Sequence, residues 1–434
     1  MSTTLITGAS LLGDRSADIL VVDGVIREIG SAADMSVAQD AVDETIDADG
    51  LVALPALVDL HTHLREPGRE DAETIRTGSA AAAVGGYSAV FAMANTQPVT
   101  DTPEKAEEVW RRGREAGLVD VMPVGSVTKA LAGEELSEIG LMARSQARVR
   151  VFSDDGRCVH DSRLMRRALE YVTAFDGVIS QHSQDPRLAD GTACCHEGEL
   201  SGRLGLPGWP DAAEEVVVAR DVMLAKQTGG RLHVAHVSTP GSLEVIRWAK
   251  GKGIAVTAEV TPHHLVLTTD LLQDYDTVYK VNPPLRPSEY AEELRAALAD
   301  GTIDVVATDH APHVVHDKEH AFADAAFGML GLETALSVVS DVMVSTGRMS
   351  WSDVARVMST RPAEIARLAG HGRPIAEGEP ANLVLVDPTR SLTVDRAASA
   401  SLSRNNPWHG RTLTGAVRAT MLRGRITVRD GRLA

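Results

Sequence analysis

A chain of 434 residues, 44% hydrophobic and carrying charge of both signs, has room for one large domain and a smaller companion. Sixty acidic against 43 basic residues leave a net charge of −17, which argues against a nucleic-acid footprint or a polybasic membrane contact and means that an anionic ligand must be met by local positive charge. Cys158, Cys194 and Cys195 are too few and wrongly spaced for a disulfide framework or a thiolate zinc site, no apolar run is long enough to span a bilayer, and Met1–Gly13 carries no Lys or Arg, so a cytoplasmic chain with free thiols is expected.

Short alternating segments open the chain: Thr4–Ile6, Ile19–Val22, Val25–Ile29 and Glu44–Ile46, split by turn signals at Asp23-Gly24 and Asp49-Gly50. They predict a small antiparallel sheet. The far end echoes it with Ala381–Val386, Ala416–Leu422 and Arg425–Val428, and a turn at Asp430-Gly431. Neither end alone makes a stable sheet module, so residues 1–54 and 375–434 are expected to pair into one composite β domain.

Between them, residues 55–374 alternate strand-like runs with amphipathic stretches, the pattern of repeated βα units. The runs are Leu57–Asp59, Ala89–Met93, Val119–Gly125, Val149–Phe152, Val178–Ser180, Leu232–Ala235, Ala255–Glu259 and Ile303–Ala307. Helical patterns include Pro103–Glu115, Ser162–Tyr171, Ala212–Gln227, Ser242–Lys250 and Tyr290–Ala299. Eight runs in a stretch of this length predict an α/β fold of the (β/α)8 barrel type. A doubly wound open sheet is the alternative, but no Gly-rich phosphate fingerprint follows the first strand.

In such a barrel the chemistry sits at the carboxyl ends of the strands. The first run ends in His61-Thr62-His63, and residues two apart on a strand point the same way, so both imidazoles can serve one ion. Asn95 follows the second run, Asp154-Asp155-Gly156 the fourth, His182 the fifth, His236 the sixth and Asp309-His310 the eighth. Each has a plain structural reading on its own: a turn, a buried hydrogen-bonding histidine, a helix cap. Gathered at one end of one barrel, they read as a metal centre. Imidazoles and carboxylates without thiolates suit catalytic zinc, which makes hydroxide available from bound water near pH 7.

Several longer motifs carry a resemblance. His61-Thr62-His63-Leu64-Arg65-Glu66-Pro67-Gly68, Met93-Ala94-Asn95-Thr96, Ser153-Asp154-Asp155-Gly156, His196-Glu197-Gly198-Glu199, Glu259-Val260-Thr261-Pro262-His263-His264, Asn282-Pro283-Pro284-Leu285-Arg286 and Ala307-Thr308-Asp309-His310-Ala311-Pro312-His313 resemble, in order and nearly end to end, class I dihydroorotases of the amidohydrolase superfamily. The resemblance implies a metal-dependent barrel with a β-sandwich built from both termini. It implies reversible cyclisation of N-carbamoyl-L-aspartate to L-dihydroorotate, in pyrimidine biosynthesis. His61, His63, His182, His236 and Asp309 match the family's metal ligands. Asp155 matches its bridging carboxylate, chosen over Asp154 by its separation from His182.

The same resemblance makes Asp309 both ligand and general acid–base, with one or two zinc ions and a metal-bound hydroxide as nucleophile. It gives the substrate carboxylate to Arg65, Asn95 and His313, with His63 beside it, and the ring to Asn282 and the backbone at Phe327-Gly328. His263 and His264 are read as structural. Residues from His313 to Phe327, charged and polar, resemble a mobile lid, in which Ala326 replaces a common proline. A hydantoinase- or allantoinase-type cyclic amidase is the alternative enzyme; lysine would stand at Asp155 and Arg65 would be absent. A non-catalytic scaffold for aspartate transcarbamoylase is the alternative from another class. A homo-oligomer is expected, with aspartate transcarbamoylase as a candidate partner and neither nucleic acid nor membrane.

Overall fold

The computed structural model describes residues 2–36 and 42–434; Met1 and 37–41, within the expected terminal unit, lie outside it. Each of the eight apolar runs overlaps a strand: β1 (Leu57–Thr62), β2 (Tyr87–Ala92), β3 (Asp120–Pro123), β4 (Val151–Phe152), β5 (Val178–Gln181), β6 (Arg231–Val234), β7 (Val256–Val260) and β8 (Val305–Val306). Pairing is parallel from β1 to β3 and from β4 to β8. Two parallel bridges complete the ring, Gly125 with Phe152 and His310 with Thr62. The outcome is a closed (β/α)8 barrel. β1 and β2 are buried at every position, as strands must be when the barrel interior covers one face and helices the other.

The helical patterns sit where the periodicity puts them. Ser162–Val172 turns Leu164, Met165, Ala168, Leu169 and Val172 inward, and the Asp161 carboxylate caps its start by accepting from Leu164 N at 2.7 Å. The helix Ile75–Val84 was not legible in the same way. Its Ala80–Ala83 run is buried throughout and offers no polar face to contrast with.

Both termini contribute to a single nine-stranded sheet among the described residues. Leu383–Val386 runs antiparallel to Val52–Pro55, which joins the C-terminal strands Thr412–Leu422 and Arg425–Arg429 to the N-terminal ones. Ile6, Ile19, Ile26, Ala53, Leu383 and Met421 form its core. The expected antiparallel arrangement of the N-terminal part is corrected in one respect. Glu44–Asp47 and Val52–Pro55 both run parallel to Thr3–Leu11, along the same side. Thr7 pairs with Asp47 and Ser10 with Val52, so Asp49-Gly50 is an interruption within one line of pairing, not a hairpin turn. The chain reaches that side only after the hairpin Arg15–Gly30, a crossover that permits parallel entry.

Candidate metal centre

Six side chains converge at the carboxyl end of the barrel. His61 lies in β1 and His63 directly after it, Asp155 follows β4, His182 follows β5, His236 follows β6 and Asp309 follows β8. Asp155 occupies the middle. Its Oδ1 lies 3.3 Å from His61 Nε2, His182 Nδ1 and His236 Nε2, and its Oδ2 lies 3.3 Å from His63 Nε2. Asp309 Oδ1 is 3.0 Å from His63 Nε2 and 3.5 Å from His61 Nε2. The donors form two groups of three that share Asp155: His61, His63 and Asp155, then Asp155, His182 and His236. Asp154 points elsewhere, accepting from the backbone N–H groups of Val127 and Thr128 at 2.7 and 3.0 Å.

The outward side of the imidazoles explains what the inward side can do. His61 Nδ1 donates to Glu259 Oε1 at 2.7 Å, His63 Nδ1 to Asn95 Oδ1 at 3.0 Å, and His182 Nε2 to Gln184 Oε1 at 2.8 Å. Each ring therefore presents its unprotonated nitrogen to the cluster. Lone pairs then face the Asp155 and Asp309 oxygens at 3.0–3.5 Å, an arrangement that needs a cation between them. Among the described residues His61 Nε2 is buried and makes no hydrogen bond. Electrostatics likewise call for positive charge there: burial opposes charge on His61, yet Asp155, Glu259 and Asp309 outweigh it and hold its pKa well above the usual value, so that without a metal a proton would take the cation's place on that nitrogen. For Asp309, burial is outweighed by His61 and His63, which bring its carboxyl down to about 2. The donor set fits a divalent metal bound through nitrogen and oxygen.

Backbone strain marks the same place. Arg65, His236 and Asp309 adopt φ values of 61°, 31° and 47°, a left-handed region that side chains with a Cβ seldom enter. Surrounding hydrogen bonds enforce it. Asp59 Oδ1 accepts from Thr308 N at 3.1 Å and Oδ2 from Thr308 Oγ1 at 2.6 Å, fixing the residue before Asp309. Burial lifts the Asp59 carboxyl to about 7.

The residues expected to meet substrate line the neighbouring wall. Arg65 Nε donates to Pro312 O at 3.0 Å, and its Nη2 lies 3.3 Å from His313 Nε2. That nitrogen already spends its one proton on Phe327 O at 2.7 Å, so the Arg65 Nη2 N–H that faces it is left seeking an acceptor. Burial, then Arg65, lowers the His313 pKa to about 3, keeping the ring neutral. Asn95 gives its Oδ1 to His63, which leaves the donor side of its amide, the nitrogen, 3.4 Å from Asp155 O. Asn282 Nδ2 donates to Gln184 Oε1 at 3.1 Å, while its buried Oδ1 has no partner among the described residues. Gly328, at φ 134°, brings the Phe327-Gly328 backbone so close that a Cβ there would lie 2.7 Å from Ala311 Cβ. His264 hydrogen-bonds Thr261 Oγ1 at 2.7 Å and Pro283 O at 3.1 Å, and neither His263 nor His264 joins the cluster.

Glu259, Asp59 and Gln184 are the contributors that the sequence did not single out. Glu259 binds His61, His233 Nε2 at 2.9 Å and His236 N at 3.2 Å. Its signals were a carboxylate at the end of the apolar run that forms β7 and a place at the head of the Glu259–His264 motif, neither of which gave it a role.

Known proteins resemble the chain over nearly its whole length. The family model described as dihydro-orotase-like matches residues 50–242, and that of the amidohydrolase family matches residues 190–427. A dihydroorotase of Streptomyces coelicolor is 57% identical over 433 residues, 100% of both chains. One of Mycobacterium tuberculosis is 56% identical over 432 residues, 99% of both. Among solved structures, an L-hydantoinase (dihydropyrimidinase) of Arthrobacter aurescens superposes with a TM-score of 0.86 at 27% identity, covering 100% of this chain and 98% of its own.

Proposed function

The chain belongs to the dihydroorotase family of the amidohydrolase superfamily, and on that premise we propose that it interconverts N-carbamoyl-L-aspartate and L-dihydroorotate, a step of pyrimidine synthesis, at the cluster around Asp155. One observation carries the reading above the others: a carboxylate, Asp155, stands at the centre of four imidazoles with Asp309 alongside. We take His61, His63, Asp155, His182, His236 and Asp309 as ligands of zinc, with two ions sharing Asp155, a choice supported by the two overlapping donor groups. Bound there, zinc would polarise a carbonyl and make water acidic enough to react near neutral pH.

Ring opening adds a water oxygen to the ring carbonyl beside the methylene carbon. Asp309 takes the proton from that water and delivers it to the ring nitrogen as the C–N bond breaks, and the new carboxyl group ionises. Closure reverses each step. The carboxylate takes up one proton from solution, the ureido nitrogen attacks and passes its proton to Asp309, and Asp309 gives that proton to the oxygen that departs as water, so one proton is consumed overall. The substrate carboxylate supplies the acceptor that the Arg65 Nη2 N–H calls for, with the fork of the guanidinium giving direction and His313 lining the wall beside it. The free Oδ1 of Asn282 accepts from a ring N–H. Residues 55–374 form the catalytic unit, with 1–54 and 375–434 as its companion.

We extend the reading to the setting. Three free cysteines among the described residues suit the cytoplasm, and no helix there is long and apolar enough to cross a membrane. Val216, Met223 and Trp248, exposed on the adjacent helices Ala212–Thr228 and Pro240–Gly251, offer apolar surface for a second copy. Aspartate transcarbamoylase is the heterologous partner to seek by co-purification.

The deciding experiment assays purified protein in both directions with dihydroorotate and carbamoyl-aspartate, after chelation and after zinc is restored. Metal-dependent turnover in both directions is expected. The likeness to a hydantoinase gives the second reading its weight; faster hydrolysis of hydantoin or dihydrouracil than of dihydroorotate would favour it. Failure to bind metal or to turn over any of these would point to a scaffold.

A further inference from the structure

Lys318 lies in the segment that reads in sequence as a polar lid, yet the residue is only 9% exposed. It ends a single helical turn, Val315–Lys318, and its Nζ donates to three carbonyl oxygens: Ala326 at 2.7 Å, Gly328 at 3.0 Å and Lys280 at 3.2 Å. An ammonium has three protons, and each finds an acceptor. The acceptors belong to two segments: that of Asn282, which the proposed function gives to the substrate ring, and that of Phe327-Gly328, which the resemblance gives to it. Ala326 and Gly328 flank Phe327, and Lys280 stands two residues before Asn282. Asn405 Nδ2 also donates to Gly328 O, at 3.2 Å, so that carbonyl is held from two sides.

We infer that Lys318 is a positioning residue, whose ammonium ties the Asn282 and Phe327-Gly328 segments into one ring-binding wall. The inference rests on the dihydroorotase reading for its substrate and on geometry alone for the tie. Asp317 ties the same turn to the segment that follows β1 through Arg69 Nη2 at 2.8 Å. Burial, then Lys280, lowers the Lys318 pKa to about 7, while Asp276 and Asp317, the other charged groups that face it, act the opposite way. The tie therefore weakens as pH rises past neutrality, because a neutral amine keeps two protons for three carbonyls.

The test uses Lys318→Met and Lys318→Arg in the full zinc-loaded chain. Lys318→Met should raise KM for dihydroorotate roughly ten- to a hundredfold with kcat and zinc content little changed, the pattern of lost positioning. Lys318→Arg should recover part of the loss, and its KM should stay flat at alkaline pH where the wild-type KM climbs. Amide exchange should accelerate in 278–283 and 326–330 of Lys318→Met and nowhere else. Unchanged KM with unchanged exchange overturns the inference, and so does faster exchange with unchanged KM, which would make Lys318 a structural tie only. Absence of dihydroorotate turnover in the wild type would defeat the proposed function instead, and the exchange measurement would still decide the tie.

Discussion

The two ends of the barrel hold similar residues and use them differently. At the amino end of the strands, Ser88 Oγ donates to His371 Nδ1 at 2.8 Å, His371 Nε2 donates to Asp120 Oδ2 at 2.8 Å, and Arg423 reaches both Asp120 oxygens at 2.6 and 3.0 Å. Serine, histidine and aspartate in a line suggest a nucleophile. Every polar atom in that line is already paired, however, and Ser88 is wholly buried, so no substrate could reach it. At the carboxyl end, His61 Nε2 and Asn282 Oδ1 are buried without partners among the described residues, lone pairs confront carboxylates, and three residues sit at strained φ. Residue type is a weak guide to chemistry; unsatisfied polarity is the better one. Stability is served at one end, reactivity at the other.

The sharpest way to break this contrast is Asp309→Asn. An amide cannot carry the proton, so turnover should fall about a hundred- to ten-thousandfold with the fold kept. Steady-state rates and the unfolding midpoint of the same preparation measure both. A variant retaining a tenth of the wild-type rate would remove Asp309 from its role.

Arg65→Lys comes next, since lysine keeps the charge and loses the fork. KM for dihydroorotate should rise roughly ten- to a hundredfold, the worth of a lost charged hydrogen bond, while zinc content holds. Glu259→Gln should act on the metal instead. Glu259 holds His61 in its tautomer, and such partners are worth about 10–100-fold in metal affinity. Competition against a chelator reads it directly; wild-type affinity would mean that Glu259 merely fills the barrel.

These predictions also mark what the sequence could and could not disclose. Strand runs ending in His61, His182, His236 and Asp309 were legible because a buried strand is a run of apolar residues, and a polar residue at its end stands out. The parallel entry of Glu44–Asp47 was not, since pairing direction depends on the path taken between strands. Glu259 hid at the end of such a run, its partner His61 lying 198 residues away. Asp59 was visible as the odd polar residue in β1, but Thr308, which explains it, is 249 residues distant. Lys318 misled in the other direction: among Val314-Val315-His316-Asp317-Lys318-Glu319-His320 nothing local distinguishes the one cation that is buried.

The smallest expected effect is at the amino end, and it completes the contrast. Asp120→Asn should leave kcat, KM and zinc content at wild-type values, because the Ser88–His371–Asp120 line ends about where the barrel meets the terminal sheet. It should cost stability of about 1–3 kcal/mol, the worth of hydrogen bonds to a charged acceptor. Burial raises the Asp120 pKa, but His371 and Arg423 more than compensate and hold it well below the usual carboxylate value. A carboxyl depressed in the folded state contributes in full above its unfolded pKa of about 4, and that contribution drains away as pH falls below it. Urea unfolding of metal-free wild type and Asp120→Asn should therefore differ most near neutral pH and converge as the pH falls through about 4 and below. Zinc must be absent from both, since protonation of its ligands would impose an acid loss of its own. A constant gap across that range would mean that the Asp120 charge does not stabilise the fold, and a fall in kcat at any pH would mean that the amino end is not silent in catalysis.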